Sequence, residues 1–461
     1  MTPTVQSITD LLTQFWDEET LEQIARDTHF VQRQPAVNGA VFAQAMVFGC
    51  LEQQTPTLAH WAQVCLDLGV AVTGQGFDTR ITEYSVAFMT RLFQASLAAF
   101  RGQVALPLPV LAQFTAVNLV DSTYISLPAS LAAAYPGSGG SASPAGLKIQ
   151  LMLDFLHERL EHVAVRSGRE PDQAYDAYLD VVGAGSLNLM DLGYFCLDHL
   201  ATVSQEKHAY WLSRYLYGTT IYTAAGEELA LLTTLRATAA NHLELEIQLG
   251  ATHRLPCRLI AVRAPQEVAD RRRQHAHEQA RKKGRTPSAD YLALLTWTLF
   301  VTNVPAAMLT DDQVMTLYRV RWQVELVFKL WKSYAGLAHI AGRRKPRVLT
   351  ELYAKLVGLV LTHFLLAPLR GQQWTAAPRE VSRVQVRQIF QRFARDLNRA
   401  LGDAAAVQAT LTELLQHLSR FAFKQHRVKQ PNLESRLALL AAVLDVPEIA
   451  EAIGEMQFYL P

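Results

Sequence analysis

The chain is poor in most of the features that declare a protein's class. It has four cysteines in 461 residues, Cys50, Cys65, Cys196 and Cys257. No two stand at Cys-x-x-Cys spacing, which argues against a zinc site or a disulfide framework and for reduced thiols. The formal net charge is +1, so no global positive field announces an anionic partner. The opening MTPTVQSITDLL lacks a basic segment followed by an apolar core, so no signal peptide is expected. The longest apolar run, Leu356–Leu369, is interrupted by His363 and Pro368. It is too short to span a bilayer and reads as a buried helix. No internal repeat is visible. What remains is a chain that is 50% apolar and 18% charged, suited to a folded protein of two to four domains.

Charge is present, but it is segregated. Residues 1–110 carry ten acids and five bases, a net of −5. Residues 254–285 carry ten bases and three acids, a net of +7, and residues 317–347 carry eight bases and one acid, again +7. Local patches of this kind bind phosphate without the whole protein being basic.

Apolar spacing of three and four predicts helices at Ser7–Trp16, Glu19–Thr28, Val41–Gln53 and Ser85–Phe100. Thr55–Ile81 reads as a helix, a turn at Gly69 and a second helix capped by Thr73. That pattern suits a helix-turn-helix and equally a plain helical hairpin. LPLPV (Leu106–Val110) reads as a linker.

From residue 116 the texture becomes β-branched and alternating. It predicts a strand from Val117 with Asp121 near its end. Pro136–Gly146 reads as a mobile surface loop, followed by strands Leu147–Leu156 and Arg159–Val165 joined at His157–Glu158. A helix is expected over Glu170–Tyr178. Then come a buried strand Leu187–Met190 ending on Asp191 and a helix Leu192–Val203. Strands that deliver a carboxylate into a following helix suggest an α/β layer with a cleft at the sheet edge. Tyr210–Val262 is strand-rich, ADRRRQHAHEQARKKGR is a basic helix, and Leu294–Val304 is a strand. Thr310 caps another helix, and beyond Gly342–Arg347 the chain reads as helical almost to its end. His157, His199 and His363 have no carboxylate at ligand spacing and read as core or surface residues.

Tyr318–Lys332, YRVRWQVELVFKLWK, contains neither Gly nor Pro and is expected to form about four helical turns. At roughly 100° per residue, Tyr318, Arg321, Glu325, Lys329 and Lys332 share about 80° of arc. Leu317, Val320, Val324, Val327, Leu330 and Trp331 form the apolar back. Four of the five front residues suit an anion or phosphate, and the fifth is a carboxylate. Read alone, this is a solvated face with Arg/Glu and Glu/Lys pairs four apart.

Asp121, Asp191 and Glu325 are nevertheless acids whose settings solvation explains poorly. Two close an apolar strand and one lies in a cationic stripe. A turn cap or a salt bridge explains each singly. Together they suit two Mg²⁺ ions about 4 Å apart, which need carboxylates from several elements and leave positions open for water and a phosphate. The neighbouring cations would hold the DNA phosphates beside the scissile bond. Spacing alone does not establish this.

The pattern Tyr318-x2-Arg321-x3-Glu325-x6-Lys332 resembles the YREK signature of the family four group of DDE transposases, cut-and-paste enzymes of bacterial insertion sequences. FVTNVP…LYRVRWQVELVFKLWKS, VDST around Asp121 and LMDLGYF around Asp191 are similar to that family too. The resemblance runs at least over residues 116–340 and weakly over the N-terminal helices, through HFVQRQ and TLAHWAQVCLDLGV. It implies an α/β fold with a ribonuclease-H-like catalytic domain at 111–206 and 300–345, and a β-rich insertion at 207–299. It further implies a helical DNA-end-binding domain at 1–110 and a helical domain at 346–461 suited to dimerisation.

On this resemblance Asp121, Asp191 and Glu325 are the catalytic, metal-binding triad, with two Mg²⁺ ions that Mn²⁺ replaces. Tyr318, Arg321 and Lys332 grip DNA phosphates, and Lys329 joins them on helical geometry alone. Arg214, in YWLSRY, matches a family arginine and equally suits a strand salt bridge. Trp297 is placed to stack on a base flipped out of the element's end, although one extra residue before Thr302 would reverse its face. Trp322 stacks on DNA or packs.

The implied activity is nicking, second-strand cleavage and 3′-OH transfer. Its partners are double-stranded terminal repeats and target DNA, with a homodimer, no membrane and a cytoplasmic, nucleoid-associated location. The alternatives are a non-catalytic DNA-binding relative or a hydrolysis-only nuclease. The acidic N-terminal region departs from an end-binding role. Either it hides a small basic face, or the 254–285 and 343–347 patches carry most of the DNA contact.

Overall fold

A Thr, Asp or Asn stands immediately before each of the first five helices, and its side-chain oxygen accepts a backbone N–H of the first turn. These are α1 (Val5–Phe15), α2 (Glu18–Asp27), α3 (Gly39–Glu52), α4 (Leu58–Asp67) and α5 (Gly74–Asp78). A Thr82/Ser85 capping box opens α6 (Glu83–Ala99). The computed structural model describes residues 4–33, 35–102, 106, 108–139, 143–340, 342–376 and 381–423. The middle of the Pro136–Gly146 loop and everything beyond residue 423 lie outside the described residues.

The chain continues through β1 (Val117–Leu127), β2 (Ala145–Asp154), β3 (Arg159–Ser167), β4 (Leu187–Met190), α7 (Leu197–Ala201), β5 (Tyr210–Arg214) and β6 (Ile221–Thr223). Then follow α8 (Leu231–Ala237), β7 (His242–Leu249), β8 (Leu255–Arg263), α9 (Gln266–Lys282), α10 (Ala289–Leu294) and β9 (Trp297–Thr302). The remaining helices are α11 (Asp311–Val320), α12 (Trp322–Lys329), α13 (Lys345–Ala376), α14 (Arg383–Ala400) and α15 (Ala404–Phe421).

The described residues form two compact units, each assembled from separate stretches of chain. The first holds α1–α6, β1 from Ser122 onward, β2, β3, and the chain from Gln323 through α15. Its centre is α13, packed on α3 and α6, with α14 lying on α3 and α15. The α3 sequence is apolar all round, and the helix is buried along most of its length. The segment Lys345–Leu369 of α13 is long and apolar enough to cross a membrane, yet 78% of its most apolar window is buried inside the protein. It is a core helix, as the interrupted apolar run predicts. Pro368 lies inside that helix rather than ending it. β2 and β3 form the expected antiparallel hairpin, its turn taken by Glu158 at φ +53°.

The second unit runs from Leu108 to Asp121 and from Pro171 to Trp322. Its sheet order is β1–β4–β5–β9–β8–β7–β6. β1, β4 and β5 are parallel. From β5 onward every pairing is antiparallel. The chain is therefore a mixed α/β protein with a large central sheet.

Several local expectations change. Asp121 is not at the end of β1, which continues to Leu127. The helix expected over Glu170–Tyr178 is two 3₁₀ turns, Asp172–Ala174 and Ala177–Val181, the first preceded by Pro171. Leu192–Val203 is not one helix. A 3₁₀ turn at Leu192–Tyr194 gives way to extended backbone at Phe195 and Cys196 before α7 begins. α5 has five residues and two glycines, so Thr55–Ile81 is a helical hairpin without a second helix long enough to read a groove. Tyr318–Lys332 is not one uniform helix either. α11 ends at Val320, Arg321 intervenes, and a π turn occupies Leu330–Tyr334. The 100° register therefore does not carry through to Lys332.

Candidate active site

Two short stretches share one pattern, Asn118-Leu-Val-Asp121 and Asn188-Leu-Met-Asp191. The structure places them side by side. β1 and β4 pair in parallel from Val117↔Leu187 to Val120↔Met190, with Asn118 opposite Asn188. Both asparagines are buried, and Asn118 Nδ2 donates to Asn188 Oδ1 at 3.0 Å. Asn188 Nδ2 in turn donates to the Tyr210 carbonyl of β5 at 2.9 Å. A one-residue slip would strand these amides among apolar side chains, so they lock the register. Asp121 and Asp191 are the next residues after the paired run, and each is three positions past its asparagine. The Asn pair is the feature that attention to carboxylates alone misses. The repeated Asn-Leu-x-Asp was its signal.

The two carboxylates converge on one cation. Arg321 Nη1 donates to Asp121 Oδ2 at 3.2 Å, and its Nε stands 4.0 Å from Asp191 Oδ1. Asp121 and Arg321 are each 16% exposed by side chain, Asp191 43%. The Arg321 guanidinium also lies 5.9 Å from the Tyr318 ring centroid, and that ring packs on Phe300 at 5.1 Å. Burial pushes the Tyr318 hydroxyl up to about 12, with Arg321 and Arg214 pulling it down and Asp191 raising it. Tyr318 is therefore a neutral phenol at physiological pH. Arg214, at the end of β5, also bears on Arg272, whose own pKa is lowered by burial first and by Arg214 second.

Trp297 and Trp322 part company. Trp297 is 5% exposed, and the Arg263 guanidinium covers its ring at 4.3 Å. One face of the ring thus carries a cation, and little of the side chain reaches the surface. Trp322 is 55% exposed. Thr302 and Asn303 are strand fasteners. Thr302 Oγ1 donates to the Trp211 carbonyl at 2.6 Å, and Asn303 Oδ1 accepts the Trp211 amide at 2.7 Å.

Glu325 lies in α12, in the first unit, and is half-buried. In the same unit Lys329 is exposed. Lys332 is half-buried in the π turn, where burial lowers its pKa. Among the described residues no three His, Cys, Asp or Glu side chains gather closely enough to hold a metal. What the structure brings together is a pair, Asp121 and Asp191, around a guanidinium. Two carboxylates gathered on one cation supply the oxygen donors that a hard divalent ion takes, so by donor chemistry these residues fit the implied metal.

The basic runs have different fates. Arg344 pairs with Asp78 at 2.6 Å, Lys345 with Glu83 at 3.6 Å, and Arg347 with Asp78 at 3.6 Å while lying over Trp61. Arg395 and Arg399 both reach Asp67 at 2.6 Å. Three acids of the N-terminal region, Asp67, Asp78 and Glu83, are thus matched to bases of the C-terminal segment, which offsets part of the acidic balance of residues 1–110. α9 is divided instead. Arg272 points inward, donating to Thr298 Oγ1 at 2.9 Å and to the Trp297 carbonyl at 3.3 Å. Arg281, Lys282, Lys283 and Arg285, at its far end, are exposed.

The transposase DDE domain family matches residues 112–361, more than half of the chain. The chain is similar to the transposase for insertion sequence element IS231F of Bacillus thuringiensis subsp. israelensis, 26% identical over 449 residues, 92% of this chain and 94% of that one. It is 25% identical to the transposase for IS1151 of Clostridium perfringens over 437 residues, 89% of this chain and 92% of the other. A shorter stretch of 113 residues is 32% identical to the putative transposase InsL of IS186A from Escherichia coli (strain K12), covering 24% and 30%. A solved piggyBac transposase synaptic complex with hairpin DNA aligns over 95% of this chain and 86% of its own, at 10% identity and a TM-score of 0.46.

Proposed function

We propose, for a chain that belongs to the transposase DDE domain family and is a DDE transposase of an insertion sequence, that Asp121, Asp191 and Glu325 form one site serving both DNA cleavage and strand transfer. The observation that carries this is the register of β1 and β4, which sets Asp121 and Asp191 side by side around one guanidinium. Glu325, four residues beyond Arg321, is the third carboxylate. The ribonuclease-H-like reading draws support from the same place, with β1 and β4 delivering the two aspartates, β5 parallel beside them, and the antiparallel strands β6–β9 following Asp191 in sequence.

The three carboxylates would hold Mg²⁺, which supplies Lewis acidity at the scissile phosphate and a reactive water or 3′-hydroxyl. The chain's own groups do the rest. Asp121 and Asp191 stay fixed in direction because the buried Asn118–Asn188 bond holds their strands. Tyr318, kept neutral by burial, offers a phenolic O–H to a phosphate oxygen and no competing negative charge. Arg321, Lys329 and Lys332 neutralise phosphates next to the cut, and Arg214 adds to the same field. Exposed Trp322 is the aromatic available for stacking on a base. In the first reaction water adds to the phosphorus and the 3′-oxygen leaves as a hydroxyl. In the second, that hydroxyl adds to a target phosphodiester and displaces a new 3′-oxygen.

The exposed end of α9 is the best-suited wider DNA surface, because the 344–347 bases are already matched by Asp78 and Glu83. The terminal repeats are held by a homodimer. The test is an excision assay on a plasmid carrying the gene with its flanking DNA. Wild type is compared with Asp191→Ala and Glu325→Ala, and normal excision by both variants would remove the catalytic assignment.

A further inference from the structure

We propose that Arg321 excludes divalent metal from Asp121 and Asp191 until a DNA phosphate takes its guanidinium, so that the site loads metal only on DNA. This rests on the reading of the two aspartates as metal ligands.

Occupancy comes first. The guanidinium bonds Asp121 Oδ2 at 3.2 Å and reaches Asp191 Oδ1 at 4.0 Å. Oxygens of these same two carboxylates are what a divalent ion would need. An ion seated on them would stand within a few ångströms of a permanent positive charge, in a pocket where Arg321 and Asp121 are largely withdrawn from water and screening is weak. Metal and guanidinium are therefore competitors. A lysine would be a poorer occupant, because only the planar fork presents separate Nη and Nε donors to two carboxylates at once.

The arrangement is also releasable. Arg321 lies at the junction between α11 and α12, with helical backbone angles of φ −50° and ψ −34°. Its side chain is long enough to swing without moving either helix. A phosphate offers the fork the same two-oxygen geometry as a carboxylate. Arg321 and Arg214 both bear on the neutral Tyr318 phenol, so an arriving phosphate meets two guanidinium groups and an O–H donor. Once the fork turns to the phosphate, Asp121 and Asp191 face each other without its positive charge between them, the condition under which a divalent ion binds best. Linkage makes the coupling reciprocal. Whatever factor DNA adds to metal affinity, metal adds to DNA affinity.

The opposite role is the natural rival. If Arg321 merely braces the aspartates, its removal loosens them and weakens metal binding. The two roles predict opposite signs, so Mn²⁺ binding to the DNA-free protein, followed by electron paramagnetic resonance and titration calorimetry, separates them. Arg321→Gln is expected to bind Mn²⁺ about tenfold more tightly than wild type, a difference of about 1.4 kcal/mol. A duplex copied from the DNA flanking the gene is expected to tighten Mn²⁺ binding to wild type and to leave Arg321→Gln nearly unchanged. Equal or weaker Mn²⁺ binding by Arg321→Gln overturns the proposal. So does a wild-type affinity that DNA does not alter. Arg321→Met carries the same measurement if the glutamine variant does not fold. Adding Asp191→Asn to Arg321→Gln distinguishes the premise from the proposal. If Mn²⁺ binding survives that double change intact, the aspartates are not ligands and the reading beneath the proposal fails with it.

Discussion

Asp121 and Asp191 are the first residues beyond a parallel run in which Val120 faces Met190, and each follows a buried asparagine by three positions. Their proximity is thus a consequence of strand register, not of a loop. Replacing either by asparagine keeps the shape and removes one charge from the pair. Cleavage and strand transfer are expected to fall by about a thousandfold, given several kcal/mol of charge stabilisation at about 1.36 kcal/mol per decade. Strand-nicking assays on the flanking DNA check this. Thermal melting should stay near wild type, because neither carboxylate is in the apolar core.

The register itself is testable through Asn118 and Asn188. Asn188→Leu leaves the Asn118 amide buried without its partner and the Tyr210 carbonyl without its donor. A loss of about 1–3 kcal/mol is expected, read as a lower denaturation midpoint. Activity should fall further than stability does, since the displaced strand carries a proposed catalytic acid.

The two faces of α9 should separate cleanly. Neutralising Arg281, Lys282 and Lys283 together is expected to leave melting unchanged and to flatten the salt dependence of DNA binding. The log–log slope should shrink by about 0.9 for each phosphate no longer neutralised. Arg272→Ala should do the reverse, destabilising the fold as its bonds to Thr298 and the Trp297 carbonyl disappear. An unchanged salt slope in the triple variant would count against the surface.

Within the first unit Glu351 is 0% exposed and Lys355 3%. Their charges meet at 2.9 Å, and Lys355 also donates to the Gly336 and His339 carbonyls, fastening α13 to the chain after the π turn. Lys355→Met takes the nearest cation from a buried carboxylate and is expected to cost about 3–5 kcal/mol. Chemical denaturation measures it.

His199 contributes a pH dependence of definite sign. Burial holds its imidazole below 6.5, against the opposing pull of Asp176 and Asp198. The unfolded chain therefore takes the proton first. Its stabilising contribution is complete above 6.5 and is lost as pH falls below that value toward the lower folded pKa, by at most about 1.4 kcal/mol per pH unit. His199→Phe should melt with a flatter profile between about pH 7.5 and about pH 5.5, and identical slopes would refute the assignment.

The sequence by itself determined the elements whose signals are local. The helix caps at Thr73 and Thr310 are visible as single residues in the sequence, and each caps its helix. The β2–β3 hairpin and the strand ending before Asp191 also follow from alternation and a tight turn. The DDE transposase family was legible as well, through the resemblance of the stretches around Asp121, Asp191 and Glu325 to that family. What only the tertiary structure decided is which residues share a space. That Asn118 would face Asn188, that Arg344 and Arg347 would pair with Asp78, and that Arg263 would cover Trp297 all depend on pairings between stretches far apart in sequence. Such pairings are chosen by the burial of whole elements, to which one residue's type contributes little. The same holds for Arg321. Its charge was legible as part of a stripe on a helix, but its place between Asp121 and Asp191 is set by the strand register that brings those two acids together.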